Sequence, residues 1–143
     1  MGLIGNAETA LVALPVLEAD FSALPPECAP LCCYESKAEP ESPYWSGIAY
    51  GEARLAPSAR DALLEQSRRL FARLGLRDYA RIDYRADAAG TIRLLEVNPN
   101  PAWAYDSKLT LMARLAGHDY PWLLEAIIQA ALARLAQAGR RAA

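Results

Sequence analysis

The chain has 143 residues, of which 53% are hydrophobic and 22% charged, and its formal net charge is −2. That length predicts one domain able to bury a sizeable core, and the composition excludes intrinsic disorder. The small net charge leaves no electrostatic footprint for nucleic acid or an anionic membrane surface, and no apolar run is long enough to span a bilayer.

Residues 2 to 17 hold two short apolar runs, Gly2–Ile4 and Leu11–Leu17, around the polar Gly5-Asn6-Ala7-Glu8, which predicts a β-hairpin. Residues 20 to 57 contain most of the prolines and little periodicity. They read as a long ordered loop with one short strand near Leu31–Tyr34. The cysteines Cys28, Cys32 and Cys33 lie in this loop. They are odd in number, form no CxxC pair and are remote from the only histidine, His118. Neither zinc nor a disulfide framework is supported, and plain thiols in a reducing compartment are expected. The segment Met1–Asn6 lacks the basic region and apolar stretch of a signal peptide, so the cytoplasm is the expected location.

Pro57 suits a first helical position. Leu63, Leu64, Leu70, Phe71 and Leu74 follow at helical spacing, and Gly75 ends the helix. Tyr79–Ala86 and Thr91–Asn98 read as two strands joined through Asp87-Ala88-Ala89-Gly90. A short helix is expected over Ser107–Ala116, ending at Gly117. A longer one is expected over Pro121–Ala138, before a frayed tail, Gly139–Ala143. Trp103, Tyr120 and Trp122 are expected to be packing groups, and His118 receives no catalytic role.

The second hairpin carries the chemistry. Side chains alternate faces along a strand, so Arg81, Asp83 and Arg85 share one face of the first strand. Leu94, Glu96 and Asn98 share one face of the second. A turn centred on Ala89-Gly90 pairs Asp83 with Glu96 and Arg81 with Asn98. Two carboxylates directly opposite each other repel in a plain sheet, and a divalent cation removes that penalty. Hard oxygen ligands of this kind suit Mg²⁺, with Mn²⁺ an admissible substitute. Arg81 offers a fork of donors to a phosphate or a developing oxyanion. The spacing alone would also serve a solvent-facing hairpin with an Arg–Asp pair. Asn98-Pro99-Asn100-Pro101 ends the strand sharply and lets Asn100 point back toward the same patch.

The run Gly75–Tyr84 and the run Gly90–Pro101, with Leu94-Leu95-Glu96-Val97-Asn98-Pro99-Asn100-Pro101 at its end, resemble the C-terminal part of ATP-grasp ligases, above all D-alanine–D-alanine ligases and their relatives. The resemblance implies an α+β fold, an antiparallel sheet with helices packed on one face, over residues 1–138 with 139–143 as a tail. It implies ATP and Mg²⁺ as cofactors, with Asp83, Glu96 and Asn98 as metal ligands. Arg81 is then the catalytic residue stabilising acyl-phosphate and tetrahedral states. Tyr34-Glu35-Ser36-Lys37 matches the family's loop over the phosphates, making Lys37 the phosphate contact. Ser107 stands where a serine helps hold the acceptor's carboxylate, and Asn100 is a further substrate contact. The implied partners are small-molecule carboxylate and amine substrates, and either a second copy or the N-terminal part of the same enzyme.

The family's usual aromatic after the lysine is Ala38 here, and Pro101-Ala102 replaces Pro-Gly, which bears on D-alanine as substrate more than on ATP chemistry. The family's glycine-rich loop and adenine hinge lie upstream of this sequence. The chain alone is therefore expected to be an incomplete, inactive part of a ligase. The alternative expectation is a truncated, inactive domain that serves as a scaffold or dimerises through a sheet edge at Gly2–Ile4.

Overall fold

A computed structural model describes residues 1–142, and the side chains of residues 1–140. The chain forms two compact units, one of residues 1–16 with 54–143 and one of residues 17–53.

The larger unit is built on a four-stranded antiparallel sheet. Its strands are β1 (Gly2–Gly5), β2 (Leu11–Ala13), β5 (Tyr79–Ala86) and β6 (Ile92–Asn98), in the order β2-β1-β5-β6. The expected first hairpin forms, with Leu3 opposite Ala13 and Gly5 opposite Leu11. Its second strand stops at Ala13 rather than running to Leu17, because Pro15 has no N–H to give the ladder. β1 also pairs with β5 through Gly2–Arg81 and Ile4–Tyr79. It is therefore interior, and the expectation of an exposed edge at Gly2–Ile4 is overturned: the edges are β2 and β6.

The helices divide between the two faces at β1. Helix α3 (Pro57–Arg73) begins at Pro57 as expected and caps at Leu74. Gly75, at φ 63°, lets the Leu76 N–H return to the Phe71 carbonyl at 3.0 Å and close the helix end. α3 supplies Phe71 to a core with Leu3, Ala80 and Ile82, all fully buried, against which Tyr84 and Val97 pack. On the other face, a Cβ on Gly2 would meet Leu109 and Met112 of α4 (Lys108–Leu115) at 2.8 and 3.0 Å. Helix α5 (Tyr120–Ala142) passes the expected end at Ala138, since Gly139 costs about 1 kcal/mol against alanine without stopping a helix. Ala143, the last residue of the expected tail, lies outside the described residues.

The smaller unit corrects the expected long loop. Leu17–Asp20 (β3) pairs with Ala49–Glu52 (β4) in a two-stranded sheet, with Leu17 opposite Glu52 and Asp20 opposite Ala49. Between them lie two short helices, α1 (Glu35–Ala38) and α2 (Pro43–Gly47). No strand forms at Leu31–Tyr34. Instead the Tyr34 carbonyl accepts from the Lys37 and Ala38 amides at 2.9 and 3.1 Å, opening α1. The three cysteines are free thiols, as expected.

Candidate active-site hairpin

The register of β5 and β6 places Arg81 opposite Asn98 and Asp83 opposite Glu96, as the alternation required. The route to that register differs from the expectation. The Asp87 N–H bonds the Thr91 carbonyl at 2.9 Å, and Gly90 takes φ 78°, so the turn is centred on Ala89. Pairing outward from that turn matches Tyr84 with Leu94. A bulge then intervenes: β6 advances two residues, Leu94 to Glu96, where β5 advances one. The extra residue is Leu95, 66% exposed. Without it absorbed, Asp83 would face Leu95, and Glu96 would turn toward the Ile82 side. Leu94 is corrected accordingly. It shares a face with Tyr84, not with Glu96.

Arg81 links the two carboxylates. Its Nε donates to Asp83 Oδ1 at 2.8 Å, and its Nη2 donates to Asp83 Oδ2 at 2.8 Å. The same Nη2 lies 3.5 Å from Glu96 Oε1. The side chains of Arg81 and Asp83 are mostly buried, at 16% and 28% exposure, and Glu96 is open at 57%. Burial pushes the Asp83 carboxyl up, but the hydrogen bonds and charge of Arg81 outweigh it and hold the group below the usual carboxylate range. Asp83 is thus ionised at neutral pH and already balanced by one cation.

The remaining expected residues fall into place unequally. Asn98 Oδ1 accepts from the Asn100 amide at 3.1 Å, a side-chain turn that folds the chain back after the strand. Asn100 Oδ1 accepts from the Tyr79 hydroxyl. Tyr79 is two residues before Arg81 on the same strand, so the alternation that selected Arg81 and Asp83 also pointed to it. Ser107 caps α4, accepting from the Thr110 amide at 3.3 Å. Lys37 lies on α1, in the smaller unit. Trp103, expected to pack, is 48% exposed.

A second polar cluster had no local signal. Asn6, 7% exposed, accepts from the Asp78 amide at 3.0 Å and donates to the Ala130 carbonyl at 3.0 Å. Arg134 of α5 reaches Asp78 with Nε–Oδ1 at 2.9 Å and Nη2–Oδ2 at 2.7 Å. The cluster ties the end of β1 and the middle of α5 to the residue before β5. Asp78 itself holds φ 66°, a left-handed conformation that aspartate tolerates better than most residues.

Fold and hairpin together define the C-terminal part of an ATP-grasp ligase resembling D-alanine–D-alanine ligase. Residues 33–129 match the family described as D-ala D-ala ligase C-terminus, and the chain belongs to that family. It is 34% identical over 132 residues to the uncharacterized protein y4sG of Sinorhizobium fredii, covering 92% of this chain and 37% of that one. It is 31% identical over 130 residues to the D-alanine–D-alanine ligase of Desulfotalea psychrophila, covering 91% of this chain and 37% of that one. The crystal structure of D-alanine–D-alanine ligase from Bacillus anthracis aligns over 92% of this chain and 39% of its own, with a TM-score of 0.64 and 23% identity, which shows the shared fold. The ATP complex of the Bacillus anthracis ligase aligns over 59% of this chain and 29% of its own, with a TM-score of 0.54 and 27% identity. The chain thus spans well under half the length of the relatives it matches.

Proposed function

We propose that the chain is the metal- and phosphate-handling part of an ATP-dependent carboxylate–amine ligase. In the whole enzyme the γ-phosphoryl group of ATP passes to a substrate carboxylate, releasing ADP. The amine then attacks the acyl carbon and expels phosphate. The observation that carries this reading is the convergence of Asp83, Glu96 and Arg81 on one strand face within a family of ligases.

The donor set fits a magnesium ion. Two carboxylates and the amide oxygen of Asn98 are hard ligands, and Mg²⁺ typically takes one or two carboxylates, completing its shell with water and substrate phosphates. Asp83, Glu96 and Asn98 would hold Mg²⁺, or Mn²⁺ in its place, and the ion would supply charge neutralisation to the transferring phosphoryl group. Arg81, positioned by Asp83, is a fixed positive charge for the acyl-phosphate and tetrahedral oxygens. Lys37 serves the phosphates. Asn100 and Ser107 serve the acceptor, Ser107 doing so with a hydroxyl that also caps α4.

The substrates in this reading are a small carboxylate and a small amine, in the cytoplasm. The isolated chain lacks the remainder of the nucleotide pocket and turns over poorly. The test uses the complete ligase. Asp83→Asn and Glu96→Gln are expected to abolish most ADP release, and Arg81→Ala to lower kcat by about 10²–10³-fold, while loss of either partner of the Arg81–Asp83 pair also lowers stability by about 1–3 kcal/mol, so turnover is compared well below the melting temperature of each variant. Near-normal turnover in Asp83→Asn or Glu96→Gln would overturn the metal assignment.

A further inference from the structure

The ladder between β5 and β6 ends at Arg81–Asn98. In the same register the next two steps would set Ala80 opposite Pro99 and Tyr79 opposite Asn100. Pro99 and Pro101 have no N–H to give, so backbone pairing stops there. A side-chain link takes over at that step: the Tyr79 hydroxyl donates to Asn100 Oδ1. The Asn100 backbone N–H is turned aside to Asn98 Oδ1 at 3.1 Å. Tyr79, Asn100 and Asn98 are thus joined in series, from β5 to a proposed metal ligand.

Tyr79 is well placed to hold its partner. It is half-buried, its backbone pairs with Ile4 of β1, and it follows Asp78, which Asn6 and Arg134 fix. It shares its strand face with Arg81 and Asp83. Asn100 is exposed, so its side chain is open to a ligand on that face. A side-chain amide has one oxygen and two N–H donors. With Oδ1 taken by Tyr79, the Nδ2 hydrogens are what Asn100 offers, and among the described residues no other group takes them. Held this way, Asn100 suits a ligand oxygen and not an ammonium group.

We infer, building on the ligase chemistry proposed above, that Tyr79 is a positioning residue: it holds Asn100 so that the Asn100 Nδ2 donates to a carboxylate oxygen of the acceptor. Tyr79 itself touches no reacting atom and acts through Asn100. The sense of the contact is also set. Asn100 gives hydrogen bonds to the acceptor and accepts none, so an acceptor without a carboxylate gains nothing from the pair.

Steady-state kinetics of the complete ligase test it, with ADP release followed over a panel of amino acids and the best acceptor compared with its carboxamide. Tyr79→Phe keeps the ring and loses the hydroxyl. Asn100→Asp keeps an oxygen for Tyr79 and loses the donors. Tyr79→Phe should raise the acceptor KM about three- to tenfold and Asn100→Asp at least about tenfold, with kcat within about twofold and the KM for ATP unchanged. In an Asn100→Ala background Tyr79→Phe should have no further effect. The carboxamide should be indifferent to Tyr79→Phe. In the 143-residue chain, the side-chain amide resonances of Asn100 should shift on Tyr79→Phe. A parent ligase with no amine-dependent ADP release sinks the ligase chemistry, and the role of Tyr79 with it. A working ligase whose acceptor KM ignores Tyr79→Phe overturns the role of Tyr79 alone, and a lowered melting temperature with unmoved KM marks the link as merely structural. Independent, additive effects of Tyr79→Phe and Asn100→Ala, or an unmoved Asn100 resonance, overturn it equally.

Discussion

Arg81 and Asp83 are separated by one residue on a strand, and their contact is a consequence of the pleat. Asp78 owes its contacts to tertiary structure: Asn6 is 72 residues away and Arg134 is 56. The hydrogen bonds from Arg134 hold the Asp78 carboxyl below its usual range, against a smaller upward push from burial. The sign of the pH dependence follows. A group whose folded value is depressed binds fewer protons in the native state, so its stabilisation is complete above the unfolded value of about 4 and is lost as pH falls through the folded one. Asp78→Asn keeps the left-handed conformation and loses the charge. It should lower stability by about 1–2 kcal/mol at neutral pH, and the gap to the parent chain in urea melts should close below about pH 4. A gap that persists unchanged at pH 3 would assign the effect to shape, not charge.

At the scale of elements, β5 and β6 show how a site is set by strand register and corrected by a bulge. The facing of Ile82 and Leu95 separates core from surface. Ile82 is fully buried, and Ile82→Ala should cost about 2–4 kcal/mol. Leu95 is the bulged residue, and Leu95→Ser should change stability by less than about 0.5 kcal/mol. Thermal melts of the two variants check the assignment of faces. Ser107 is a helix cap as well as a proposed acceptor contact. Ser107→Ala should cost about 1 kcal/mol in stability, and Ser107→Thr should recover most of it. If Ser107 only caps, acceptor KM in the complete ligase will follow neither substitution. Strands β5 and β6 and helices α3 to α5 were legible because each carries its own periodicity and stop signals. β3 and β4 were not, because four-residue strands become strands only by finding each other across the intervening helices.

The smaller unit, residues 17–53, nearly coincides with the proline-rich stretch of residues 20 to 57 that its composition sets apart, but its strands were not legible there. The two ends of the smaller unit are neighbours, since Leu17 pairs with Glu52. A short Gly–Ser linker replacing residues 17–53 should therefore leave the four-stranded sheet folded, with a cooperative melt and unchanged ratio of strand to helix signal by circular dichroism in the remaining residues. Loss of cooperative melting would show that the smaller unit is needed for the larger one to fold. Lys37 belongs to the smaller unit, and Arg81, Asp83, Glu96 and Asn98 to the larger. Excision should therefore spare the carboxylate pair.

The sequence by itself determined that Arg81 shares a face with Asp83, and Glu96 with Asn98, because alternation within one strand is a local rule. It also carried the family motif, because that motif is contiguous. Tertiary structure alone decided three things. β1 is interior, because β5 returns to cover its second edge. Asp78 is anchored, because α5 brings Arg134 across the sheet. Glu96 meets Asp83 because Leu95 is absorbed into a bulge. Each depends on which distant segment a strand or side chain meets, and partners far apart in the chain leave no period or spacing to read.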